Sequence, residues 1–117
     1  MENSEINPQD SALSKLRELI EDLRGKNGCP WDKKQTPKSM VAYLLEEAYE
    51  LADAVETDQA ELICEEMGDV LFHIFFMARL FEEMGSFTIN EVAHGITEKM
   101  VRRHPHVFGS EKGALRT

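Results

Sequence analysis

Two pairs of acidic residues, Glu47 with Glu50 and Glu66 with Asp69, stand at three-residue spacing in strongly helix-forming sequence. Three residues are close to one helical turn, so each pair shares a face. The positions are also symmetric, because 47 and 69, and likewise 50 and 66, are equidistant from Asp58. A chain reversal at Thr57-Asp58-Gln59 would therefore set the four carboxylates opposite one another on an antiparallel helical hairpin. Asp58 and Glu61 have the spacing of an N-cap and its third-position acid, which predicts the start of the second helix there.

Carboxylates gathered in this way repel by about 4 kcal/mol per pair at roughly 4 Å and an effective dielectric near 20. A divalent cation removes that cost. Oxygen-only ligation, with no cysteine and no obligatory imidazole, points to a hard ion, Mg²⁺ with Mn²⁺ as a substitute, rather than zinc. The competing reading is a solvated acidic surface, since 30% of the chain is charged. The matched register argues for the metal, as does the setting of Glu66-Met67-Gly68-Asp69 in an otherwise apolar helix.

Apolar periodicity predicts an all-α fold, a four-helix bundle-like module over residues 11–108 with flexible ends at 1–10 and 109–117. Leu13, Leu16, Leu19, Ile20 and Leu23 mark a first helix over residues 11–26, with Asn27-Gly28 as its stop. Residues 29–35 read as an ordered loop carrying Trp31. Thr36-Pro37 opens a second helix to residue 56, with a stripe of Val41, Leu44, Leu45, Ala48, Leu51, Ala52 and Val55.

The third helix, residues 59–84, has its stripe at Ile63, Met67, Val70, Leu71, Ile74, Ala78 and Phe81. Thr88-Ile89-Asn90-Glu91 is a capping box for a fourth helix with Ile89, Val92, Ala93, Ile96 and Met100 inward, ending at His104 before Pro105. From Val70 to Met77 the third helix is apolar nearly all round, which implies more neighbours than one short chain supplies. A homodimer completing the core, or a tetramer, is the expectation.

Charge and cysteine content narrow the partners. Twenty-two acidic against thirteen basic residues give a net charge of -9, which disfavours a surface for nucleic-acid polymers. Cys29 and Cys64 are isolated, as reduced thiols of a cytoplasmic protein would be. The N-terminus lacks the basic and apolar pattern of a secretory signal, and no apolar run approaches the roughly 20 residues of a membrane span.

One turn from the acids, the hairpin sets Met40 and Tyr43 opposite His73 and Phe76. A groove charged at one end and aromatic at the other suits a nucleotide, although aromatic and Met residues at helical spacing are more often plain core. Tyr43, His73, Phe76 and Trp31 are thus candidate substrate contacts. His73 reads equally well as a core histidine. Lys99, Arg102 and Arg103 cluster at the end of the fourth helix, where they either meet phosphate or complement the helix dipole. His104-Pro105-His106 reads as a turn rather than a ligand pair.

Across residues 13–109 the chain resembles the MazG-type nucleotide pyrophosphohydrolases of the all-α NTP pyrophosphatase superfamily. The resemblance rests on Gly28-Cys29-Pro30-Trp31-Asp32, Glu46-Glu47-Ala48-Tyr49-Glu50, Glu66-Met67-Gly68-Asp69 and the run from Lys99 to Phe108, KMVRRHPHVF. It implies Mg²⁺-dependent hydrolysis of nucleoside triphosphates to monophosphate and pyrophosphate, on a helical bundle that is commonly dimeric. It implies Glu47, Glu50, Glu66 and Asp69 as metal ligands, Glu46 as a residue that orients water or binds a further ion, and Lys99 and Arg103 as phosphate contacts beside Arg102. Many relatives carry two such modules in tandem, and this chain resembles the first.

Two other classes remain at this point. Glu91-Val92-Ala93-His94 supplies one Glu-x-x-His motif of a di-iron bundle, which needs two. The alternative is a catalytically weak or inactive module that binds nucleotide or protein through the same helices.

Overall fold

The computed structural model describes residues 11–109, which are helical with no strand among them. Of the ends expected to be flexible, residues 1–10 and 109–117, all but Gly109 lie outside the described residues. Helix α1 (Ala12–Leu23) begins at Ser11, whose hydroxyl accepts from the Ser14 N–H at 3.1 Å. It stops earlier than expected: Arg24 N–H makes the last regular bond, to the Ile20 carbonyl, and Gly25 N–H tightens to Asp22, three residues back. Gly28 then passes so close to the end of α1 that a Cβ would lie 2.1 Å from the Leu23 carbonyl oxygen, and only glycine fits.

The stretch expected to be a loop contains a single helical turn, α2 (Pro30–Lys33). Pro30 is at its first position, where a missing N–H costs nothing, so the proline starts the turn instead of breaking it. Helix α3 (Pro37–Glu56) starts from a reciprocal Thr36–Ser39 capping box. Helix α5 (Ile89–Arg103) starts from the expected Thr88–Glu91 box. His104 ends α5, and a further turn, α6 (Pro105–Phe108), follows it where a plain turn was expected.

Between α3 and α4 (Ala60–Glu83) the chain reverses as the symmetry of the acids requires, but the cap is different from the one expected. Gln59, not Asp58, is the N-cap, and Asp58 sits at φ 59°. So short a link needs one residue in the left-handed region, which Asp tolerates better than most side chains. The Thr57 hydroxyl donates to the Ala54 carbonyl at 2.6 Å and accepts from Gln59 N–H at 3.1 Å, closing the turn.

The buried core is Ile20 of α1, Met40 of α3, and Phe76 and Leu80 of α4, with Leu16, Phe72, Phe75 and Met77 packed against it. Burial of each large side chain contributes roughly 1.5–3 kcal/mol. This corrects the expected stripes. Phe76 and Leu80 face inward because α1 docks on their side of α4, whereas Val41, Leu45, Val55, Met67 and Ile74 are exposed. Val92, Ile96 and Met100, expected inward on α5, are exposed as well, since α5 meets α4 but makes no comparable packing with α3. No helix among the described residues is long and apolar enough to cross a membrane.

Candidate metal centre and adjoining groove

Going away from the turn, the α3–α4 hairpin presents Asp53 with Leu62, Glu50 with Glu66, Glu47 with Asp69, and then Tyr43 with His73. Glu47, Glu66 and Asp69 each bring a carboxylate oxygen within 4.8 Å of the other two. Glu47 and Glu66 are half-buried, and one oxygen of each, Glu47 Oε2 and Glu66 Oε1, is shielded from solvent without a hydrogen-bond donor. Ionised carboxylates only accept, so these oxygens call for a proton or a cation.

The electrostatics agree with that requirement. Burial raises the Glu47 carboxyl above its usual value, and the charges of Glu50 and Asp69 raise it further, against an opposing effect of His73. Burial likewise raises Glu66, followed by the charges of Glu50, Asp69 and Glu47. Glu50 is outside the group of mutually close oxygens, yet its charge acts on both Glu47 and Glu66, so it borders the same space. A groove of about 210 Å³ lined by Glu50, Asp53, Ala54, Thr57, Leu62 and Glu66 opens beside the cluster on its turn side.

On the opposite side the aromatic residues form a line. Trp31 of α2 meets Tyr43 edge-on at 5.6 Å between ring centroids, and Tyr43 stacks on His73 at 6.3 Å. His73 Nδ1 lies 2.9 Å from the Asp69 carbonyl oxygen, which only accepts, so Nδ1 carries a proton and donates. Trp31 is 51% exposed, which leaves its ring open to a ligand.

Not every candidate joins this site. Phe76 is fully buried beside Met40 in the core, so it is not open to a ligand. Glu46, next to Glu47 on α3, is exposed and outside the oxygen cluster. Lys99, Arg102 and Arg103 lie on the last turns of α5, and no ion pair among the described residues links them to the acids. The Glu-x-x-His motif is used otherwise: Glu91 accepts from Thr88 N–H in the cap, and His94 faces Glu98 in solvent.

One arrangement at the far end of α4 from the turn has no local signature in the sequence. Arg24 and Glu83, 59 residues apart, form an ion pair that also reaches the backbone of α2. Nothing short of the docking of α1 on α4 brings them together.

The sequence model of the MazG nucleotide pyrophosphohydrolase domain matches residues 35–108, which contain the three clustered acids and Glu50 beside them. The chain belongs to the MazG nucleotide pyrophosphohydrolase domain family. It is 52% identical over 100 residues to the uncharacterized protein YabN of Bacillus subtilis, covering 86% of this chain and 20% of that protein. It is 46% identical over 101 residues to the nucleoside triphosphate pyrophosphohydrolase/pyrophosphatase MazG of Thermotoga maritima, covering 86% and 40%. With the nucleoside triphosphate pyrophosphohydrolase of Escherichia coli K12 it shares 41% identity over 97 residues, covering 82% and 37%. The chain thus spans between a fifth and two fifths of the length of these relatives.

Proposed function

We propose that this domain hydrolyses nucleoside triphosphates, deoxy or ribo, to monophosphate and pyrophosphate. The observation that carries the reading is the convergence of Glu47, Glu66 and Asp69 with two shielded oxygens that lack a donor. Mg²⁺, with Mn²⁺ as a substitute, would be held by these three and Glu50. Bound there, the ion would supply charge neutralisation at the triphosphate and a more acidic water.

The chain's own groups would do the rest. The base lies against Trp31, Tyr43 and His73, so the triphosphate extends along the hairpin toward the acids. Water attacks the α-phosphorus in line with the bond that breaks, and Glu46, exposed and outside the oxygen cluster, is given no part in that step. As the bond to the β-phosphate oxygen breaks, Lys99 and Arg103 take up the charge of the departing pyrophosphate, with Arg102 beside them.

Those cations need α5 to be fixed, and the apolar residues left open suggest how. A groove of about 550 Å³ along α4 is lined by Ala60, Ile63, Cys64, Met67, Gly68 and Leu71, and Ile96 and Met100 of α5 are exposed. A homodimer, or a tetramer built from it, would cover these faces and set α5. The free thiols of Cys29 and Cys64 suit a cytoplasmic location. Neither a membrane nor a nucleic-acid polymer is needed as partner.

A second reading follows from the length comparison: the activity named for the longer relatives resides elsewhere in them, and this domain only binds nucleotide. One experiment separates the two. The protein is incubated with NTPs and dNTPs plus Mg²⁺, and pyrophosphate and orthophosphate are assayed separately. Pyrophosphate released in step with monophosphate supports hydrolysis at the α position, orthophosphate alone excludes it, and binding without either product leaves the non-catalytic module.

A further inference from the structure

A single-turn helix has no stability of its own, yet α2 holds the half-exposed ring of Trp31 against Tyr43. Something outside α2 must hold it. Arg24, the residue that ends α1, donates from Nη1 to the Asp32 carbonyl at 2.8 Å and to the Gln35 carbonyl at 3.4 Å, both in the segment that carries Trp31. Its other side, Nε and Nη2, engages both carboxylate oxygens of Glu83 on α4. The guanidinium also lies 5.9 Å from the ring centre of Phe76, the most buried core residue, and its side chain is 13% exposed.

The fork geometry matters. Arginine offers donors in two directions at once, so one side chain ties the carbonyls at the end of α2 to a carboxylate of the main hairpin. Lysine, a single point charge, cannot do both. Gln35 extends the tie, since its side chain donates to the Trp31 carbonyl at 3.0 Å and accepts from Ser39 at the start of α3.

We propose that Arg24 is a positioning residue for nucleotide recognition: anchored by Glu83, it holds the Asp32 and Gln35 carbonyls so that Trp31 stands ready to meet the base. This rests on the reading of Trp31 as a base contact. The acid that Arg24 touches is Glu83, which is not one of the clustered Glu47, Glu66 and Asp69.

The test uses the full chain with Arg24→Lys, Glu83→Gln, Trp31→Ala and the exchange Arg24→Glu with Glu83→Arg. Trp31 is the single tryptophan, so its fluorescence reports on α2 directly, with or without activity. Arg24→Lys is expected to raise KM for triphosphate about fivefold or more with kcat changed less than about twofold, and to make Trp31 more accessible to acrylamide in the ligand-free protein. The exchange is not expected to restore KM, because a glutamate at position 24 cannot donate to the two carbonyls, and it is expected to recover melting temperature only in part, because Arg79 lies 3.4 Å from Glu83 and would face the new arginine. Glu83→Gln is expected to fall between wild type and Arg24→Lys.

If Arg24→Lys lowers only the melting temperature, with KM and Trp31 quenching as in the wild type, the positioning role is overturned. It is overturned equally if the exchange restores KM together with stability. Unchanged KM in Trp31→Ala sinks the base-contact reading instead, and altered quenching in Arg24→Lys would then still establish the tie to α2.

Discussion

Glu47 and Asp69 bring carboxylate oxygens within 4.8 Å of each other from positions equidistant from Asp58, so the reversal of the chain and the assembly of the acidic cluster are one event. Glu66 completes the trio one turn nearer the bend on α4. The repulsion among these groups is a cost the fold carries, and it sets several measurable properties.

Glu50→Gln and Asp69→Asn should each reduce Mg²⁺-dependent pyrophosphate release by about 100-fold or more while leaving the helical circular dichroism intact. In EDTA both variants should melt at or above the wild-type temperature, because one repelling charge is gone. Near-normal turnover in either variant removes that residue from the proposed ligand set.

The pH dependence has two parts of opposite sign. Glu47 and Glu66 bind protons in the folded state at a pH where the unfolded chain does not, so metal-free protein should gain stability as pH falls from neutral toward the ordinary carboxylate value of 4.5. Glu83 is held below that value, first by its hydrogen bond to Arg24, so its contribution is complete above 4.5 and disappears as pH falls through its lowered value. Melting temperature in EDTA should therefore pass through a maximum on the acid side of neutrality. Glu47→Gln should flatten the rise, and Mg²⁺ should reverse it. A melting temperature that falls steadily from pH 7 contradicts the raised carboxyls.

Asp58 occupies the left-handed region at φ 59°, where glycine has no steric penalty. Asp58→Gly should stabilise the chain by up to about 1 kcal/mol and Asp58→Val should destabilise it by more than that, measured by urea unfolding. Equal stability of the two variants would contradict this turn.

Phe76 and Tyr43 should behave oppositely despite lying one turn apart along the hairpin. Phe76→Ala removes a fully buried ring and should cost about 3–5 kcal/mol of stability. Tyr43→Ala takes away a ring that is 38% exposed and should weaken nucleotide binding more than it weakens the fold. Calorimetric titration with a non-hydrolysable triphosphate beside thermal melts distinguishes them.

Met67 is 54% exposed on the apolar groove of α4. For the proposed dimer, Met67→Glu should shift sedimentation from dimer to monomer and lower activity in parallel. A variant that sediments like wild type places the interface elsewhere.

Local chemistry made much of this molecule readable in advance. The Thr36 and Thr88 caps, the helical periods and the three-residue spacing of the acids act over one or two turns, so they appear in sequence and survive in the structure. The helical hairpin follows from them, and with it the meeting of α3 and α4 acids. The Asp58 cap failed because a Ser, Thr or Asp before a helix signals a boundary without saying which residue must absorb the reversal.

What the amino-acid order determined by itself was the hairpin and the set of acids able to meet on it. Only tertiary structure decided that Phe76 is buried in the core, that α5 leaves Ile96 and Met100 uncovered, and that Arg24 reaches Glu83 and α2 at once. The difference is physical. Helical spacing is set within a few residues by backbone geometry, whereas the direction a side chain faces depends on which distant helix docks beside it, and α1 chose the Phe76 face of α4.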